Sequence, residues 1–386
     1  MNDTNEKKKC PIPLFYVIIG MILIFNAGYY LFVTNIKGLA DWHRSHVFRW
    51  NVNIWSRVTN IWSGSVGECM IILAILLAVW FLIALILGLM HHDVLKRIRK
   101  VTVRVVVGAI TFAIVTETMN CFVQYQCSTL LSSWTKEIEN SEDGMLMPTK
   151  ENLEDLYIRT VERANRLSKE FLRDEQGYII VEQTSGELMK DAREALHGIS
   201  DEFPLLMGYY PDVKEISFSD FMTQQYLLGI YFPFSLEANY NSNIYITNQP
   251  ATFCHELAHL KGYILEDEAN FIAYLACIQS DNPLFQYSAC LSVLGYMVPD
   301  LIDAGVDLSF FAEHPANEYV ALDDIFVKQE IMERVEEEAI ISTETVSNAN
   351  EVFLDLNLKA NGVEEGIDSY SLVIRLILLY EARVIS

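Results

Sequence analysis

The chain has 386 residues, of which 51% are hydrophobic, and its mean hydropathy of +0.19 is high for a purely soluble protein. Its formal net charge is −23, but residues 1–127 carry 12 Lys and Arg against 6 Asp and Glu, whereas residues 128–386 carry 16 against 45. An acidic C-terminal part repels phosphates, which excludes nucleic acid as a partner and leaves a membrane anchor followed by one sizeable domain.

The first predicted element is an apolar run over about residues 14–33, preceded by three lysines at 7–9. Roughly 20 apolar residues are enough for a helix to cross a bilayer, so this run predicts a signal anchor. A cleavable signal peptide that ends near Ala27 is the alternative, because the residues around that position are small. The apolar residues that continue to Val33 favour retention of the helix.

Two more apolar segments predict transmembrane helices over about residues 67–90 and 101–125. The connection between them is rich in Lys and Arg, as is the N-terminus, and such basic flanks favour the cytoplasm. Three crossings predict a multi-pass protein of the cell membrane, with the lipid bilayer as a partner and the C-terminal domain extracytoplasmic. Glu117 lies in the third segment, where a carboxylate is either a functional residue or one that faces another helix.

Residues 41–62, between the first two predicted spans, contain four of the six tryptophans. Their apolar residues recur at steps of three and four, which predicts an amphipathic helix. Such a helix suits the membrane interface. A loop packed on the C-terminal domain is the alternative.

An acidic linker over residues 128–148 is predicted to lead into a domain formed by residues 149–386. Apolar spacing in this domain predicts mostly helices, the first over about residues 149–171. Three β-rich runs predict a small sheet, with an Asn-rich turn between the last two: 216–218, 229–234 and 243–247. The predicted fold class is therefore a mainly α membrane protein, with three transmembrane helices and a mostly helical, zincin-like domain that contains a small β-sheet.

Residues 250–274, PATFCHELAHLKGYILEDEANFIAY, contain the one cluster in the sequence that predicts a specific chemistry. His255 and His259 stand four apart, so on a helix they share a face and can bind one tetrahedral Zn²⁺ ion. Glu256 follows the first ligand, which is the position of the general base in an HExxH zinc hydrolase. A surface helix with two His on one face and no metal is the alternative.

A third ligand is predicted on a second helix, which begins near Glu266 after a stop at Gly262. A gluzincin-type site takes a Glu from this helix, together with an Asp or Asn one turn later that orients a ligand His. Glu266 and Asn270 have this spacing. Glu268 lies roughly 200° around the helix from Glu266, so only one of the two can face the metal. Glu266 is the first choice and Glu268 the second.

The sequence resembles the uncharacterised bacterial family called domain of unknown function 3810. The central blocks HELAHLKGY and EDEANFIAYLAC carry this resemblance, and shorter fragments support it: 64–68, 231–234, 237–239, 287–288, 358–362 and 368–370. The resemblance implies a three-span membrane protein with a zinc-peptidase-like domain, and it implies no substrate. The Glu-x-x-Ala-Asn element is similar to the third-ligand element of other integral-membrane and regulatory gluzincins, which favours Glu266.

These motifs favour a membrane-anchored zinc metallopeptidase that hydrolyses peptide bonds of an extracytoplasmic peptide or protein. In this hypothesis Glu256 takes a proton from a zinc-activated water and passes it to the leaving amine. Several tyrosines can donate to the oxyanion, among them Tyr263, Tyr287 and Tyr296.

Two alternative functions remain open. One is a non-catalytic zinc-binding receptor or scaffold at the cell surface, and the other is a zinc hydrolase of cell-wall material. The presence of Glu256 argues against the scaffold, because a structural zinc site has a closed fourth position and no use for a base.

Overall fold

The computed structural model describes residues 13–89, 93–139, 149–360 and 372–385, and these are mainly helical. The described residues of the N-terminal part form six α-helices: α1 (Leu14–Asn35), α2 (Leu39–Trp42), α3 (Arg49–Thr59), α4 (Val66–Leu87), α5 (Asp93–Glu117) and α6 (Leu130–Glu139). Turns of π-helix join α2 to α3 and extend α5, over His43–Phe48 and Thr118–Phe122.

Two of the described helices, α1 and α4, are long and apolar enough to cross a membrane. They correspond to the first two predicted spans and are compatible with a membrane anchor. The prediction of a third span over residues 101–125 is corrected, because α5 is not such a helix. Arg104 and Glu117 bound its uncharged stretch, which is only about 18 Å long, whereas the hydrocarbon core of a bilayer is about 30 Å thick.

The tryptophan-rich segment 41–62 is largely helical and packs on the C-terminal domain, which was the second predicted alternative. Phe48 and Val52 are buried in the same core as the C-terminal domain. On the other side of the segment, the side chains of Trp50 and Trp55 are 64% and 55% exposed. The helix is thus amphipathic and packs on the domain through its apolar inner face.

The C-terminal part begins with α7 (Lys150–Leu167), which agrees with the helix predicted from residue 149. The helices that follow are α8 (Ser185–Gly198), α9 (Ser219–Gln224), α10 (Gln249–His259), α11 (Glu266–Ile278), α12 (Pro283–Asp303), α13 (Leu308–Glu313), α14 (Glu318–Asp323), α15 (Gln329–Glu338), α16 (Thr343–Ala360) and α17 (Leu372–Ile385). Helices α10, α11 and α12 form the centre of the core, where Phe253, Phe271 and Phe285 are fully buried.

The first half of the segment predicted to be a linker, 128–148, is a helix in the structure. Helix α6 occupies that part, and its Trp134 is buried against the rings of Phe203 and Phe271. An aromatic side chain of this size removes a large apolar area from water, which fixes the segment to the domain. Residues 140–148 of the predicted linker lie outside the described residues.

A three-stranded sheet packs on α10, so the predicted small sheet is confirmed. Its order is β1 (Lys214–Ile216), β3 (Glu237–Asn241), β2 (Gly229–Phe232), with β1 parallel and β2 antiparallel to the central β3. The strand predicted at 243–247 is wrong, because the chain there forms a loop and a 3₁₀ turn. The Asn-rich segment predicted to be a turn contributes instead to the buried central strand.

Candidate metal centre

A left-handed turn brings the two motif helices together. Helix α10 ends at His259, and Gly262 follows with φ +93°, a conformation that glycine adopts without steric cost. The amide of Gly262 donates to His259 O, and the amide of Tyr263 donates to Ala258 O, which closes the end of the helix. Helix α11 then begins at Glu266 and packs along α10, as the sequence predicts.

Three side chains converge at this junction. Nε2 of His255 lies 3.2 Å from one carboxylate oxygen of Glu266, and Nε2 of His259 lies 3.7 Å from the other. One ligand atom from each of the three lies within 4.8 Å of the other two. Ligands about 2.0–2.1 Å from a tetrahedral zinc are roughly 3.3 Å apart, so small side-chain adjustments suffice for these atoms to share one ion.

Each of the two histidine rings makes a hydrogen bond to a further residue. Tyr263 O lies 2.7 Å from Nδ1 of His259, so this nitrogen is the donor and Nε2 keeps its lone pair for a metal. His255 makes a hydrogen bond with the side chain of Asn270, the residue predicted to orient a ligand. Each ring thus has a second partner that fixes its orientation.

Glu268, the second choice for the third ligand, lies away from this cluster. Its carboxylate is buried and accepts a hydrogen bond from the amide of Leu130, at the start of α6. Burial raises the pKa of Glu268 to about 7, while the Leu130 amide opposes the shift. The structure thus groups Glu266, and not Glu268, with the two histidines.

The three converging groups perturb one another strongly. Burial acts to lower the pKa of His255, but the hydrogen bond and charge of Glu266 outweigh it and raise that pKa to about 9. Burial and the charge of His255 lower the pKa of His259 to about 4. Burial acts to raise the pKa of Glu266, yet the two histidines lower it to about 2. An ionised carboxylate beside two imidazoles is a donor set suited to zinc.

Glu256 is the unusual group of the site. Its side chain is buried, and its Oε2 has no hydrogen-bond partner among the described residues. A carboxylate in such surroundings is costly to ionise, and burial raises its pKa to about 8. The buried, unpartnered oxygen beside the three donors fits a group whose partner is a bound water or a substrate.

Strand β2 lies against Glu256. A Cβ at Gly229 would lie 2.5 Å from Glu256 Oε1 and 2.8 Å from the carbonyl oxygen of Asn239, so only glycine fits there. The Tyr231 ring, two residues along the strand, lies 6.0 Å from the His259 ring. The sequence predicts a strand over residues 229–234 but no individual role for Gly229 or Tyr231, and the family resemblance of fragment 231–234 is the only further signal.

The three candidate tyrosines occupy different positions. Tyr287 is fully buried and donates its hydroxyl to Asp323 at 2.8 Å, so it belongs to a structural network. Burial raises the pKa of Tyr263, and the charge of Glu268 adds to this effect. Burial also raises the pKa of Tyr296, and here the contributing charge is that of Glu266. Of the three, Tyr296 is the one whose pKa is also raised by the charge of a proposed ligand.

A family model described as "Protein of unknown function (DUF3810)" matches residues 43–378. The chain belongs to the DUF3810 family. The match runs from the π-helical turn before α3 into α17, so the DUF3810 region includes most of the tryptophan-rich segment, α4 and the candidate metal centre. Comparisons with curated proteins and with solved structures gave no match.

Proposed function

We propose that this DUF3810 protein is a membrane-anchored zinc metallopeptidase that hydrolyses peptide bonds of a peptide or protein. The observation that carries the proposal is the buried carboxylate of Glu256, whose Oε2 is unpartnered beside the converging atoms of His255, His259 and Glu266. A metal site that only stabilises a fold gains nothing from a buried acid, which costs free energy unless it has a partner.

The residues have separate roles in the proposed reaction. A zinc ion at this site would supply a Lewis acid and lower the pKa of a water toward neutrality. Glu256 accepts the proton of the attacking water and gives it to the leaving amine. Tyr263 O and Asn270 keep the histidine rings oriented, and Tyr296 is the candidate donor to the developing oxyanion.

The sheet supports a peptide as the substrate. Strand β2 is an edge strand and lies against Glu256. Backbone groups on a free strand edge can pair with an extended peptide, which would hold a peptide bond near the general base.

The test combines metal content with cleavage of a random peptide library by the full-length protein in detergent. We expect about one zinc per chain. Glu256→Gln should keep the zinc but lower cleavage by at least about 100-fold, because the amide cannot accept a proton. His259→Ala should lose the metal, and Glu266→Ala should lower zinc affinity more than Glu268→Ala.

Other outcomes would contradict the proposal. Full zinc occupancy without cleavage by wild type or Glu256→Gln would favour the non-catalytic receptor. Hydrolysis of cell-wall fragments but of no peptide would favour the third hypothesis. A folded wild-type protein that binds no zinc would end the metallopeptidase proposal.

A further inference from the structure

The strand that borders the metal centre also contacts the start of a candidate membrane span. Gly229, at one end of β2, lies against Glu256. Phe232, at the other end, packs on Gly67 in the first turn of α4, where an added Cβ would lie 2.7 Å from the aromatic ring. Three residue steps along a strand cover about 10 Å. The carboxylate of Glu256 is therefore roughly this distance from the beginning of α4.

Asn120 provides a second connection between the site and the helices. It lies in the π-helical turn after α5, and its side chain donates to Pro233 O at 2.8 Å. Its backbone oxygen accepts from the hydroxyl of Tyr231 at 3.1 Å. Because the Tyr231 ring lies 6.0 Å from the His259 ring, one side chain links the metal centre to the end of α5.

Hydrogen bonds to two buried carboxylates fix the first turn of α4 to the sheet. The amides of Val66 and Gly67 donate to the carboxylate of Glu237 on β3. The carboxylate of Glu68 accepts from the amides of Ser217 and Phe218, directly after β1. The sheet therefore has a defined height above the start of α4. The polar layer of a bilayer is roughly 5–8 Å deep on each side, so a site about 10 Å from this start lies close to the headgroups.

Exposed aromatic side chains lie at the same level. Phe218, held by Glu68, is 57% exposed. Trp50 and Trp55 are also exposed, on the helix whose Asn51 donates to Asn120 at 3.3 Å. Tryptophan and other amphipathic aromatic residues concentrate at the boundary between lipid and water. These residues thus mark a layer beside the metal centre that suits lipid headgroups.

We infer that the metal centre acts on polypeptide segments that their own membrane anchors hold within about 10 Å of the bilayer surface. The substrate class is the juxtamembrane segment of a membrane-anchored or lipid-attached protein, and this inference rests on the proposed peptidase function. An anchor raises the local substrate concentration at a site of this height. A spacer of four residues, which spans at most about 13 Å, is long enough to reach it.

The activity test uses the full-length protein in lipid nanodiscs, where both membrane faces are open to solution. One random peptide library is prepared free, palmitoylated through a four-residue spacer, and palmitoylated through a 20-residue Gly-Ser spacer with a mean reach of roughly 25 Å. We expect the short-spacer form to be cleaved fastest, at least about tenfold faster than the free form, and Glu256→Gln to cleave none of them.

The outcomes separate the inference from the proposed function. Cleavage of the free and long-spacer forms with none of the short-spacer form would overturn the inference while the peptidase stands. Equal rates for free and short-spacer forms would do the same. If zinc is bound and no form is cleaved, the proposed function fails and the inference fails with it.

A second measurement does not depend on activity. A fluorophore is attached to the Phe218→Cys variant. The labelled protein is then placed in nanodiscs whose lipids carry a quencher on the headgroup. We expect strong quenching at this position and at least about threefold weaker quenching for a fluorophore on Leu308→Cys, an exposed position on α13, which packs on Tyr157 of α7. An unquenched label at Phe218 would place the sheet away from the bilayer and overturn the inference.

Discussion

Three glutamates of the motif carry the same carboxylate in three different surroundings. Glu266 faces two imidazoles and stays ionised, whereas Glu256 has one oxygen without a partner among the described residues. Glu268 accepts from a backbone amide in a buried position. In the proposed function, partners and burial rather than residue type give one of them to the metal, one to proton transfer and one to the fold.

The buried position of Glu268 predicts a pH-dependent stability. Because its pKa is raised to about 7, the folded state holds a proton that the unfolded state loses near pH 4.5. Stability should therefore fall as the pH rises from about 4.5 to 7, by at most about 3 kcal/mol from this group. Glu268→Gln should remove this fall, since its amide oxygen can still accept from Leu130. Thermal unfolding of wild type and Glu268→Gln across this pH range, in detergent and after removal of metal with a chelator, measures the difference in stability.

Glu202 provides the control for this prediction, since its carboxylate is exposed and accepts from the Tyr380 hydroxyl at the surface. Glu202→Gln should leave the pH profile of the melting temperature parallel to that of wild type. A Glu268→Gln profile that is also parallel to wild type would contradict the raised pKa.

The sequence predicts the ligand residues because their relation is local. The spacing of His255 and His259 fixes them on one helix face, and Glu266 is the first residue of the next helix. The choice between Glu266 and Glu268 requires knowledge of long-range contacts, because the partner of Glu268 is the amide of Leu130, 138 residues away. No local pattern reports a hydrogen bond of that range.

At the scale of elements, strand β2 must approach α10 closely, and Gly229 makes this possible. Gly229→Ala should displace either the Glu256 carboxylate or the strand, because an added Cβ meets both Glu256 and the backbone of Asn239. A shift of about 1 Å at a general base can cost about 100-fold in rate, so we expect kcat/KM to fall 10- to 100-fold. Zinc content should not change.

Gly295→Ala is the matched control. Gly295 lies in α12, and an added Cβ would have no neighbour within 4 Å. Alanine in a helix is favoured over glycine by roughly 0.5–1 kcal/mol, so this variant should keep full activity and unfold at the same or a higher temperature. Full activity of Gly229→Ala would show that β2 does not position Glu256.

Two elements differ from their sequence predictions for physical reasons. Residues 237–241 include two asparagines, which are typical of turns, yet the Asn241 side chain donates to Leu227 O and to the Thr223 hydroxyl. These tertiary partners satisfy the amide, so the strand can be buried. In α5, the high mean hydropathy of residues 101–125 predicted a transmembrane helix. The uncharged residues between Arg104 and Glu117 are too few to cross a bilayer.

At the scale of the whole molecule, a buried ion pair joins the N-terminal helices to the sheet. The Lys214 ammonium donates to Glu237 and to the carbonyl oxygens of Thr59 and Gly64. Glu237→Ala should leave a buried ammonium without its counter-charge and two orphaned amides at the start of α4. Such losses typically cost about 3–5 kcal/mol, which lowers the melting temperature by on the order of 10 °C. Thermal unfolding of the full-length protein in detergent measures this.

Lys190 and Glu194 form the matched exposed pair, with side chains 66% and 62% accessible. Glu194→Ala should change stability by less than about 0.5 kcal/mol, since exposed i, i+4 pairs contribute little. Equal melting temperatures for Glu237→Ala and Glu194→Ala would mean that the buried pair does not hold the two parts together.

The contacts of α4 also constrain the order of events during synthesis. Glu68 meets its partners Ser217 and Phe218 across about 150 residues of chain, and the amide of Gly67 meets Glu237 across 170. Helix α4 is therefore synthesised long before these partners exist. The position of α4 relative to the domain is settled only when the sheet folds. A chain in which the sheet does not fold leaves the amides of Val66 and Gly67 and the carboxylate of Glu68 without these partners, although Ser65 still caps the helix.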